Sequence, residues 1–155
     1  NMLSGQYRFR FYINASHGIY IDGKLGELHP HTWEIILTMM KGQEGFAPFH
    51  EIEKLCESSF ARYQDGILNE IPPFTTVNPT LENITAVLRD DVRDSLRAQG
   101  WLLLTIEVSE TPSRSFIIHT TSDYTERSQP VSAGNEEEIQ RALDRLSRKN
   151  PHIQS

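Results

Sequence analysis

Residues 7–17, YRFRFYINASH, alternate without a break: Tyr7, Phe9, Phe11, Ile13 and Ala15 take one parity, Arg8, Arg10, Tyr12 and Asn14 the other. Successive side chains on a strand point to opposite faces, so period two means a strand with one buried face. Residues 31–41 repeat the pattern through His31, Trp33, Ile35, Leu37 and Met39. The connection between them, residues 18–28, carries Gly18, Gly23 and Gly26. The two runs predict an antiparallel strand pair. His17 shares the parity of the apolar set, and so falls on the same face as His31.

The period then changes. In PFHEIEKLCESSFARY, Ile52, Leu55, Cys56 and Phe60 recur at helical spacing. Residues 69–80, NEIPPFTTVNPT, break that helix with three prolines. Asn78 and Pro79 read as N-cap and first position of a second helix, whose stripe is Leu81, Ile84, Leu88, Val92 and Leu96. Gly100 stands where a C′ glycine belongs. Two more strands follow. Residues 101–110 place Leu102, Leu104, Ile106 and Val108 on a face that runs out to Glu110, and residues 115–122 return after a turn with Pro112. The order β-β-α-α-β-β predicts an α+β domain over residues 1–122. Residues 123–134 read as a linker, and 135–149 as a C-terminal amphipathic helix through Ile139, Leu143 and Leu146.

Composition narrows the function classes. A chain of 155 residues suits one domain with a real core. Fifteen Lys and Arg against 21 Asp and Glu give a net charge of −6, with no basic cluster for phosphates, so no nucleic-acid partner is expected. No apolar run is long enough to span a membrane, and the N-terminus lacks a signal-peptide core, so a cytoplasmic location without membrane association is expected. The single cysteine, Cys56, excludes an intrachain disulfide framework and reads as a small core residue.

His29 and His31 flank Pro30 in HPH, and residues two apart on a strand project to one side. Antiparallel pairing brings the end of the first strand, with His17, to the start of the second. Three imidazoles then converge, which with one open position is a catalytic zinc arrangement. A histidine pair in the core or on the surface is the plainer reading of HPH alone. His50 and His119 read as surface or strand-face histidines.

Five motifs in order carry a family resemblance: NASH with His17, HPH with His29 and His31, Leu68-Asn69, NPTLEN at 78–83, and VSET at 108–111. Over about residues 7–120 the chain resembles the 6-pyruvoyl-tetrahydropterin synthase and 6-carboxytetrahydropterin synthase family. The resemblance implies a T-fold, a four-stranded antiparallel sheet with two helices on one face. It further implies subunits joined into barrels, usually a homohexamer, and an active site between subunits with zinc on three histidines, here His17, His29 and His31. A pterin substrate would be held by Glu110, whose carboxylate can accept two parallel N–H bonds, and by Thr80 of NPTLEN.

The departures fall on the chemistry. Counting C-x-x-x-H back from His29 reaches Leu25, not the catalytic cysteine of the related synthases. Gln64 and Asp65 stand where the family carries Asp-His, Pro30 replaces the middle glycine of H-G-H, and Pro48 the aspartate before the first helix. Two readings stay open. Glu27, two residues before His29, replaces the cysteine as base, as a glutamate does in the branch of the family that cleaves the dihydroneopterin side chain, with Asp65 as proton shuttle. Otherwise Glu27 is a loop residue, Asp65 a solvated turn residue, and the protein a non-catalytic paralogue that binds metal and a pterin or purine.

Overall fold

A computed structural model of the chain describes residues 5–42 and 45–120. The linker and C-terminal helix expected after residue 122 lie outside the described residues. The elements are β1 (Tyr7–His17), a small hairpin of β2 (Tyr20–Ile21) and β3 (Lys24–Leu25), β4 (His29–Lys41), α1 (Phe49–Phe60), β5 (Gly66–Ile67), α2 (Leu81–Ala98), β6 (Trp101–Thr111) and β7 (Arg114–His119).

The alternation works as expected in β1 and β4. Their apolar parity is buried, from Phe9 to Ala15 and from Trp33 to Met39, and the register sets Phe11 opposite Ile35 and His17 opposite His29. The other face of β1 carries exposed Arg8, Arg10, Tyr12 and Asn14, and Tyr12 donates to Glu34 across the pair at 3.1 Å. Helix α1 packs over β1, and α2 over β6 and β7. Ile52, Cys56 and Phe60 from α1, with Ile84, Leu88, Val92 and Leu96 from α2, close one core against the sheet. Each such fully buried aliphatic side chain contributes about 1.5–3 kcal/mol relative to exposure.

The main sheet has five strands, in the order β5-β1-β4-β6-β7, where four antiparallel strands were expected. The fifth, β5, pairs parallel with β1 at Ala15 and Ser16. Asp65 turns the chain into it with φ of 59°, its N–H donating to the Asn14 carbonyl at 2.6 Å. The Gln64 side-chain amide bonds the edge of β1 from both ends, accepting from Asn14 N at 3.0 Å and donating to Tyr12 O at 2.7 Å.

Four local readings are corrected. In β6 the buried residues are Trp101, Leu103, Ile106 and Val108, not Leu102 and Leu104. Thr38 faces Thr105 while Met39 faces Leu103, so Leu104 is an extra residue in a β-bulge and the parity switches there. The last strand runs from Arg114 to His119 rather than over 115–122. The connection 18–28 is partly a hairpin, turned by Asp22 and Gly23 at φ of 52° and 78°. That is the left-handed pair a two-residue Asp-Gly turn uses. The N-cap of α2 is Thr80, whose hydroxyl accepts from Asn83 N at 3.2 Å, and not Asn78. The C-terminus of α2 ends as read, with Gly100 at φ of 83° donating to Arg97 O.

Candidate metal and ligand site

Asn78 is free of helix capping because it is engaged elsewhere. Its side chain accepts from Tyr20 N at 2.9 Å and donates to Tyr20 O at 3.0 Å. Asn69 repeats the device on Gly18, accepting from its N–H at 2.9 Å and donating to its carbonyl at 2.8 Å. Two asparagine amides thus pair, strand-like, with the chain just beyond β1. They tie the 66–80 segment to the end of the sheet and fix how the chain leaves His17.

The same segment supplies Pro79, whose carbonyl lies 2.8 Å from His17 Nδ1. A carbonyl only accepts, so Nδ1 carries the proton and Nε2 bears a lone pair. His17 is 1% exposed. Burial is the largest influence on it and holds its pKa below the ordinary value, against the Pro79 bond and the attraction of Glu110. Trp33, anchored by its indole N–H on Ala15 O at 3.1 Å, packs under the rings of His17 and His31 at centroid distances of 4.8 and 5.2 Å.

Across this ring stands Glu110, with Oε2 3.6 Å from His17 Nε2. Its side chain is 12% exposed, and its Oε1 accepts from Arg114 Nε at 2.9 Å and from Arg114 Nη2 at 2.6 Å. The pairing of β6 with β7 slips between Ser109 and Thr111, so Glu110 is itself a bulge residue, released from the ladder toward the site. His31 completes a group in which one ligand atom each from His17, His31 and Glu110 lies within 4.8 Å of the others. His29 stands beside it on an exposed position, its ring centroid 6.4 Å from His17 and 6.2 Å from His31.

The remaining expected site residues are scattered around this group. Asp65 shares with His31 an open cleft of about 340 Å³ that also takes in Asn14, Ser16 and Thr32. Glu27 is exposed between β3 and β4. Thr80 is buried, and its hydroxyl oxygen serves the cap of α2. His50 and His119 are exposed, away from the group. Sequence reading did not single out Arg114, the Pro79 carbonyl, or the clamping by Asn69 and Asn78.

The chemistry of this donor set suits a cation. With Nδ1 turned to the Pro79 carbonyl, His17 Nε2 faces Glu110 Oε2 at 3.6 Å, and His31 offers a further ring nitrogen to the same group. Imidazole nitrogens and a carboxylate are borderline ligands of the kind zinc takes. A backbone carbonyl on the far nitrogen is the usual support of a metal-bound histidine.

A one-faced sheet under two helices, with imidazoles and a carboxylate gathered at one end of the sheet, marks the class as α+β. The model of one such family, 6-pyruvoyl tetrahydropterin synthase, matches residues 6–121. The chain belongs to the 6-pyruvoyl tetrahydropterin synthase family. Solved structures agree in fold. The Caenorhabditis elegans 6-pyruvoyl tetrahydropterin synthase superposes with a TM-score of 0.62 at 14% identity, over 74% of this chain and 94% of that one. The Plasmodium vivax enzyme gives 0.57 at 13% identity, over 75% and 98%. An uncharacterized Wolinella succinogenes protein gives 0.58 at 15% identity, over 74% and 97%. Two further structures of the Plasmodium vivax enzyme, at TM-scores of 0.53 and 0.51, replace a catalytic glutamate by alanine or cysteine. No curated protein matches the chain. The T-fold expected from the motifs is the fold observed, with β5 added.

Proposed function

We propose that the protein is a zinc-dependent lyase of the pterin synthase type, acting on a reduced pterin such as dihydroneopterin or its triphosphate, with chemistry altered from the usual synthase. The observation that carries this is the gathering of His17 and His31 beside Glu110 at one end of the sheet, one ligand atom of each within 4.8 Å of the others, in a chain of the 6-pyruvoyl tetrahydropterin synthase family. The zinc ligands are His17, His29 and His31. His29 is opposite His17 in the strand register, and an exposed imidazole turns inward by a change of rotamer. Bound zinc would polarise a substrate oxygen.

The chain's own residues divide the remaining work. Glu110 accepts the amino and ring N–H groups of the pterin, and Thr80, at the start of α2, lines the same end. Glu27 takes the proton from the pterin side chain. A glutamate is a catalytic residue of the Plasmodium vivax enzyme, which supports a catalytic glutamate here. Asp65 passes the proton on through the cleft it shares with His31.

The protein would act as a homohexamer in the cytoplasm. In β7 the outer edge has no strand partner among the described residues, and ring closure removes such edges. Among the described residues no helix is long and apolar enough to cross a membrane.

A second reading, a non-catalytic metal- and pterin-binding paralogue, is favoured by one observation. Gln64, at the position of the family's Asp-His pair, spends its amide on the β1 backbone. A chromatographic assay of the purified chain with dihydroneopterin and its triphosphate separates the two. Turnover of either supports the enzyme, and tight pterin binding without turnover supports the paralogue.

A further inference from the structure

Arg114 lies outside the chemistry proposed above, yet it makes the two shortest ties to Glu110. Its Nε and Nη2 both donate to Oε1, at 2.9 and 2.6 Å, from a side chain that is 63% exposed. A carboxylate oxygen offers two lone pairs, and Arg114 takes both on Oε1. Only Oε2, facing His17, is left open.

A 2-amino-4-oxopteridine presents two parallel donors, the exocyclic amino group and the adjacent ring N–H. Such a fork needs one lone pair on each carboxylate oxygen. It cannot form while both Arg114 bonds stand. A ring with a single donor at this edge can use Oε2 alone.

Resting on the assignment of Glu110 as the ring acceptor, we propose that Arg114 is an internal competitor for the pterin edge. It holds the acceptor of the ligand-free site and is displaced by a two-donor ring, so it sets how tightly such rings bind. Release is inexpensive, because the guanidinium is already largely in water. Until then Arg114 holds the carboxylate in place, with Oε2 aimed into the site.

The test is fluorescence titration of the full-length chain with neopterin, and with 4-oxopteridine, which lacks the amino group. Arg114→Met keeps the side-chain length and removes the donors. It is expected to tighten neopterin binding about two- to five-fold, the range of an exposed ion pair, and to leave 4-oxopteridine unchanged. Arg114→Lys, with a single donor atom, is expected to fall between, and decides the matter if the methionine variant does not fold. Unchanged or weaker neopterin binding in a folded variant overturns the proposal, as does equal tightening of both ligands. Glu110→Gln is the control on the underlying assignment. If it binds neopterin like wild type, Glu110 is not the ring acceptor and the competition falls with it.

Discussion

His17 Nδ1 and the Pro79 carbonyl, 62 residues apart in sequence, meet at 2.8 Å and decide which nitrogen of the imidazole faces the site. The Nδ1–H tautomer is therefore locked, and burial keeps the ring from taking a second proton by holding its pKa below 6.5. A long-range proton–nitrogen NMR spectrum of metal-free protein at pH 7 is expected to show His17 with a protonated Nδ1 and a bare Nε2. A His17 imidazolium, or the Nε2–H tautomer, would contradict it, because the nitrogen facing the site would then carry no lone pair for a metal.

Asn78 spans a similar distance, to both backbone groups of Tyr20. Asn78→Ala is expected to lower stability by about 1 kcal/mol, the net worth of a hydrogen bond or two at a partly wet site. It is also expected to speed hydrogen exchange at the Tyr20 amide. Thr80→Ala should cost about 1 kcal/mol by removing the α2 N-cap, without touching that amide. Unchanged Tyr20 exchange in Asn78→Ala would mean the clamp does not hold the chain beyond β1.

These long spans mark what a linear reading could reach. Alternation in β1 and the stripe of α2 are set by neighbours two to four residues apart, so both were legible. The β6 face was not, because the bulge at Leu104 comes from how β4 pairs with it. Asn78 and Thr80 are both good caps by residue type; Thr80 caps α2 while the Asn78 side chain is held by the Tyr20 backbone. The Asp22-Gly23 turn did carry a sequence signal, two residues suited to positive φ. Glu110 and His17 come from strands separated by β4 in the sheet, and no spacing reports their contact. Arg114 follows Glu110 by four residues, which reads as helix spacing, yet the pair closes across a hairpin.

Cys56 is fully buried, and burial, with the nearby charge of Glu57, pushes its thiol up to about 12. The native protein should leave an aromatic disulfide reagent unreacted at pH 8, and the denatured chain should release one thiolate equivalent. The folded pKa is raised, so stability is fully present below the unfolded value of 9.0 and is lost as pH climbs from there toward 12. The slope is at most about 1.4 kcal/mol per pH unit. Cys56→Ala should remove that part of the alkaline loss. Rapid labelling of the native protein would place Cys56 outside the core.

Leu25 has no titratable group, so little or no 6-pyruvoyl- or 6-carboxy-tetrahydropterin should form from dihydroneopterin triphosphate. Glu27→Gln keeps the shape and removes the carboxylate. It is expected to abolish pterin turnover, while zinc content and pterin binding stay near wild type. Full turnover in this variant would eliminate Glu27 as the base and transfer the role to Asp65.

The most direct measurement is the zinc content of the purified chain and of a variant with His17, His29 and His31 all changed to alanine. About one zinc per wild-type chain is expected, from three imidazoles with one open position. The variant should lose it, together with tight binding of a reduced pterin. Zinc at the wild-type level in the triple variant, or a wild-type chain that takes up no zinc when it is supplied, would contradict a metal centre at the ends of β1 and β4.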